Sequence, residues 1–184
     1  MEAPQYPEGL SMDIFPHTIV GGHGGSDIAE INILNHYIGM HKIDRASLTD
    51  LGWLPFAIGA LAVLTLRVAV IGNVRSLIDV AVITFYVCGF AFARFVYTLY
   101  TFGHELDSSA PIKVAGFTPA LFGSKQIANF TTHSYPQPGA ICVGLFALAV
   151  ALLAVWHVIA NRRRAKGTPE VVAEPTAAAV PSPA

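Results

Sequence analysis

The side chains best placed to do chemistry lie in "EINILNHYIGMHKI", residues 30–43, where Asn32, His36 and Met40 recur every four residues and His41 follows directly. On a helix, residues four apart point the same way, so an imidazole and a thioether at that spacing can share one ion. A thioether beside imidazoles is softer than zinc's usual ligand set, and copper is the first-row metal that best tolerates it. Two ligands do not make a site, so other segments must supply the rest. The alternative reading is structural: Asn32, His36 and Met40, with Asn35 one turn before Gly39, hydrogen-bond and pack against a neighbouring loop. Met12 and His17 are weaker candidates as extra ligands.

Further donors come from residues 101–140, "TFGHELDSSAPIKVAGFTPALFGSKQIANFTTHSYPQPGA". His104 and Asp107 stand three apart with Glu105 between them, and an aspartate beside a histidine either orients it as a ligand or serves as an ordinary cap. His133 lies in "TTHSYP". "APIKV" and "NFTTHSYP" read as extended, with Gly116, Gly123, Pro136 and Pro138 as punctuation. Lys113 and Lys125 are expected to pair with the acidic N-terminal segment.

Whatever positions these donors must begin from a chain of 184 residues that is 53% hydrophobic and 12% charged. Those proportions belong to a membrane protein with at most one small domain. A bilayer core needs about 20 apolar residues in a helix, and residues 51–71, 80–102 and 140–160 meet that length. Lys and Arg collect beside the spans on one side: Arg67 and Arg75 around the first turn, and "NRRRAKG" after the third span. Such positive flanks mark the cytoplasm.

The expected fold is therefore an all-α membrane protein with three transmembrane helices and a small extracytoplasmic cap, in the plasma (inner) membrane. Residues 1–50 and 103–139 lie outside, 72–79 form a cytoplasmic turn, and 161–184 form a disordered cytoplasmic tail rich in Ala and Pro. Trp53, Tyr97 and Tyr100 fit an outer aromatic belt and Trp156 an inner one.

Within the first outer segment, apolar and polar residues roughly alternate from Leu10 to Val20, as in an extended stretch broken by Pro16. "GGHGGSD" reads as a flexible turn with His23 solvated. Asp27 precedes Glu30 by three residues, a pattern resembling a capping box, which predicts a helix over 28–40. Ile31, Leu34 and Ile38 form its packing stripe. Arg94 is the one charge well inside a span. Such a group is costly in lipid, so it is expected to snorkel outward or to meet Glu105, Asp107 or another subunit.

Several function classes find no support. Residues 1–51 carry seven acids against Lys42 and Arg45, a local charge of −5 that suits cations and disfavours nucleic acid. There is no phosphate-binding glycine loop, no nucleophile elbow and no HExxH motif. Cys88 and Cys142 lie in apolar runs without metal or redox spacing. His104 and His157 fall at opposite ends of the spans and cannot clamp one haem.

Taken together, "YPEGL", "EINILNHYIGM", "FGHELDSSAPIKV" and "GSKQIANFTTHSYPQPG", within about residues 6–140, resemble a family of small bacterial membrane proteins. Its members are often encoded near copper-handling proteins such as nitrous-oxide reductase maturation lipoproteins and Sco-type chaperones. The resemblance brings no assigned reaction, and it excludes the basic "RRR" and the Ala/Pro tail. It implies an extracytoplasmic role around copper, chiefly through "NHYIGM", Asn35 to Met40.

Two functional readings follow. One is a membrane-anchored, copper-binding accessory or assembly protein, with a site from His36, Met40, His41, His104 and His133 and with Asn32, Asn35, Asp107 and Arg94 as supporting polar groups. Extracytoplasmic copper chaperones or membrane proteins would be its partners. The other is a structural subunit of a larger membrane complex, such as a copper-dependent oxidoreductase or monooxygenase, without its own metal. Both leave oligomers open.

Overall fold

The computed structural model describes residues 1–2, 4–127 and 130–167. It is mostly helical, with three helices long and apolar enough to cross a membrane: α2 (Asp50–Ile71), α3 (Val74–His104) and α4 (Pro138–Gly167), preceded by the shorter α1 (Asp27–Tyr37). The all-α expectation needs correction, because two antiparallel hairpins are present. β1 (Met12–Ile14) pairs with β2 (Ile19–Gly21), and β3 (Gly123–Ile127) pairs with β4 (Phe130–Ser134).

The first hairpin has a local cause. Pro16 lies in the four-residue connection between β1 and β2, where a missing N–H does no harm, and the Phe15 N–H to Thr18 carbonyl bond of 2.8 Å closes it. β4 falls in the stretch read as extended. "APIKV" forms no strand, and Lys125 donates to the Thr118 carbonyl at 2.6 Å rather than to an acid.

The link between the first two spans is far shorter than the expected turn over 72–79. Gly72 ends α2 in the left-handed region (φ 67°), its N–H bonded to the Val68 carbonyl, and Asn73 caps α3 by accepting the Arg75 N–H. "GN" thus holds a C-terminal glycine stop and an N-cap side by side. α3 starts six residues before the expected Val80. Its 31 residues extend about 46 Å at 1.5 Å per residue, more than a bilayer core, so one end stands clear of lipid. α4 runs on to Gly167, so residues 161–167 are helical rather than part of a disordered tail; residues 168–184 lie outside the described residues.

α3 packs on both α2 and α4 and is the middle helix of a row. At most about a tenth of the residues along any span are buried within the chain, as suits helices whose surroundings are acyl chains. Because the spans alternate in direction, Asp50, His104 and Pro138 share one end. There the N-terminal segment and the α3–α4 connection assemble into a polar head. Glu2 and Thr131 exchange two backbone hydrogen bonds of 2.9 Å, which adds the N-terminal segment to the edge of β4.

Candidate functional site

α1 places the first donors. Asp27, Ile31, Asn35 and Ile38 are buried at helical spacing, whereas His36 on the adjoining face is exposed. The expected helix over 28–40 is corrected at both ends. At its start Ser26 is the N-cap position and Asp27 lies inside the helix, turned to other partners. At its end Gly39 adopts φ 75°, a left-handed geometry that suits glycine and terminates helices. Met40 is therefore not one helical turn above His36; it lies beyond the stop, on chain that turns back.

That returning chain is tied down by hydrogen bonds. The Met40 N–H reaches the Asn35 carbonyl at 2.8 Å. The Asn32 amide clips Ile43 twice, accepting its N–H at 2.7 Å and donating to its carbonyl at 3.0 Å. Asn32 thus acts as a surrogate strand edge for Ile43. Asn35 is 4% exposed, and its Nδ2 finds no acceptor among the described residues.

The α3–α4 connection forms the opposite wall. The Asp107 N–H donates to the Gly39 carbonyl at 2.8 Å, and the Ile112 N–H to that of Tyr37 at 3.0 Å. Gly39 permits this approach: a Cβ there would stand 2.7 Å from the Asp107 carbonyl oxygen and 2.9 Å from its nitrogen. The result is a cleft of about 450 Å³ lined by His36, Met40 and His41 on one side and by Glu105 and Asp107 on the other.

Its electrostatics favour a cation. The Ser109 N–H and then its hydroxyl hold the Asp107 carboxyl below the usual range, and the nearby His36 adds to this. Nε2 of His41 stands 3.7 Å from a Glu105 oxygen, and its ring meets Phe102 edge-on at 5.7 Å. Two imidazoles, one thioether and two carboxylates thus face one space.

The remaining sequence candidates lie elsewhere. His104 turns its Nδ1 to the Tyr100 carbonyl at 2.9 Å and stacks on the Tyr100 ring, with centroids 3.9 Å apart. His133 binds Ser124 and faces Glu2. Neither lines the cleft. Arg94 pairs with neither Glu105 nor Asp107 but at 3.0 Å with Asp50, at the start of the neighbouring span. Among the described residues, no group of three or more His, Cys, Asp or Glu side chains is arranged to hold a metal ion.

His23, read as a solvated loop residue, is exposed, and it is also held by a buried carboxylate. Its backbone is left-handed (φ 47°), and its Nδ1 lies 2.9 Å from Oδ1 of the buried Asp27. The Ser11 N–H, ahead of His23, draws the Asp27 carboxyl below its ordinary pKa against the effect of burial. Asp27 in turn raises the His23 pKa, with Glu8 adding less. The aspartate's contribution to stability is present above the ordinary carboxylate pKa and lost as pH falls through the lowered one. That of His23 is present below the ordinary imidazole pKa and lost as pH rises through the raised one.

No protein-family model, curated protein or solved structure matches the chain. The geometry of the head and the three apolar helices therefore carry the functional argument.

Proposed function

We propose that this is a membrane-anchored copper-binding accessory or assembly protein of the plasma membrane, with its N-terminus and head on the extracytoplasmic face. The observation that carries the reading is the shared cleft of His36, Met40 and His41, whose donor set of two imidazoles and a thioether fits copper better than zinc. Glu105 and Asp107 supply a negative wall that draws a cation in. Basic residues at the far ends of the spans support the orientation, and an extracytoplasmic cleft is where a soluble copper chaperone can exchange metal.

Titration of the purified protein with copper(I) against a competing chelator tests the assignment. His36→Ala and Met40→Ala are each expected to weaken binding by more than about tenfold, the least that loss of a supporting group costs at known metal sites. Unchanged affinity in both variants would sink it.

A second reading has its own observation. The spans form a row in which α2 and α4 each pack on α3, and large side chains such as Phe56, Phe85 and Tyr86 are 70% or more exposed. Such a row can seat a further membrane protein, making the chain a subunit of a larger complex. Extraction from native membranes would then recover another membrane protein in fixed ratio, whereas a stable, metal-loaded monomer in detergent counts against it.

A further inference from the structure

A second cleft in the head, of about 210 Å³, includes Glu2, Glu8, His23 and His133 in its lining and shares no residue with the cleft assigned above to copper. Three parts of the chain meet there: the N-terminal segment, the turn after β2 and strand β4.

Each imidazole in this cleft is anchored through Nδ1. His23 is held by Asp27 Oδ1 at 2.9 Å and His133 by Ser124 Oγ at 2.7 Å. The first anchor is itself rigid, since Asp27 is 1% exposed and accepts the Ser11 N–H at 2.8 Å. An oxygen on one ring nitrogen fixes the tautomer and orientation of a histidine and strengthens the other nitrogen as a ligand, the arrangement found behind metal-bound histidines.

The other ring nitrogens each face a carboxylate at long ion-pair distance. Nε2 of His23 stands 3.5 Å from Glu8 Oε2, and Nε2 of His133 stands 3.7 Å from Glu2 Oε1. With Asp27 behind, the neutral-histidine state of the cleft sets three carboxylates against one cation, the Met1 ammonium, which also lines the cleft and donates to the Leu10 carbonyl at 2.6 Å. A set of two imidazoles and two carboxylates suits zinc-like divalent cations and lacks the soft donor that marks the other cleft.

We propose that this second cleft binds a divalent transition-metal cation of the zinc type, through Nε2 of His23 and His133, with Glu2 and Glu8 completing the set. The donors stand as two pairs rather than as one cluster, so binding requires the exposed glutamates to swing inward. Closure staples the N-terminal segment to both the turn after β2 and the β3–β4 hairpin.

Zinc titration of the full-length protein in detergent, by calorimetry, tests this. One zinc per chain is expected, and His23→Gln with His133→Gln, exposed substitutions whose folding is checked by circular dichroism, lowers affinity by more than about tenfold. His36→Ala with Met40→Ala leaves zinc affinity unchanged, so failure of the copper assignment and failure of this one are distinguishable. Zinc also slows hydrogen exchange of the Glu2 and Thr131 amides. The proposal is overturned if the wild type takes up no zinc, if the double His23/His133 variant binds as well as wild type, or if the His36/Met40 variant loses the zinc.

Discussion

Gly103→Ala lowers the local stability of the head by about 3 kcal/mol, the upper part of the usual range for forcing a methyl into packed space. A Cβ at this buried position would lie 1.7 Å from the Phe117 carbonyl oxygen, 2.8 Å from the carbonyl carbon and 3.2 Å from Pro119 Cδ. Two of those three atoms are backbone, so no rotamer change relieves the contact. The chain leaving α3 loops out and returns here, and the Phe117 N–H to Gly103 carbonyl bond of 2.9 Å closes the loop. Glu105 and Asp107 lie inside it, so opening it also loosens the acidic wall of the first cleft. Hydrogen exchange at Phe117 reports the event: about 3 kcal/mol corresponds to about a 100-fold loss of protection. Gly59→Ala is the control, because a Cβ there meets nothing within 4 Å, and it leaves Phe117 protected. Equal protection in Gly103→Ala would show that the approach is not tight.

How far such contacts could be read in advance depends on how local their causes are. The three spans were legible because length and hydropathy are properties of contiguous residues. Their ends were not, since one helix stops at Gly72 and the next starts after Asn73, signals that a window centred on apolar content passes over. "NHYIGM" is a sharper case. Four-residue spacing treats Asn32, His36 and Met40 as one stripe, yet Gly39, a left-handed stop signal, stands inside the stripe and sends Met40 back along the chain. His36 and Met40 still share a cleft, brought there by the Asn32 clip on Ile43 and the Asp107–Gly39 bond, not by helical periodicity. The Glu2–His133 pairing depends on an N-terminal segment docking beside β4, a contact across about 130 residues that no local pattern encodes.

The pairing of Arg94 with Asp50 is nonlocal in the same sense, and breaking it is the second large effect expected. Arg94 donates through Nε to Asp50 Oδ1 at 3.0 Å and through Nη2 to Thr49 Oγ1 at 3.3 Å, with its guanidinium 5.8 Å from the Tyr97 ring centre. Trp53 Nε1 donates to the same aspartate oxygen at 2.8 Å, so an ion pair and an indole lock the start of α2 to α3. The side chains are 35% and 18% exposed, between the surface pairs worth about 0–1 kcal/mol and the buried pairs whose disruption costs about 3–5 kcal/mol. Arg94→Leu, which strands a carboxylate at the head end of two apolar helices, therefore costs about 2 kcal/mol on that interpolation. Asp50→Leu costs a similar amount, because it frees the guanidinium and unbinds Trp53. The double variant strands neither charge, and its loss falls short of the sum of the singles by at least about 1 kcal/mol. Unfolding of the four proteins in bicelles, followed by Trp53 fluorescence beside Phe90 (ring centres 5.4 Å apart), measures that coupling. Strict additivity would mean that Arg94 only snorkels to water past an indifferent aspartate, and the two helices would then be held at this end by packing alone.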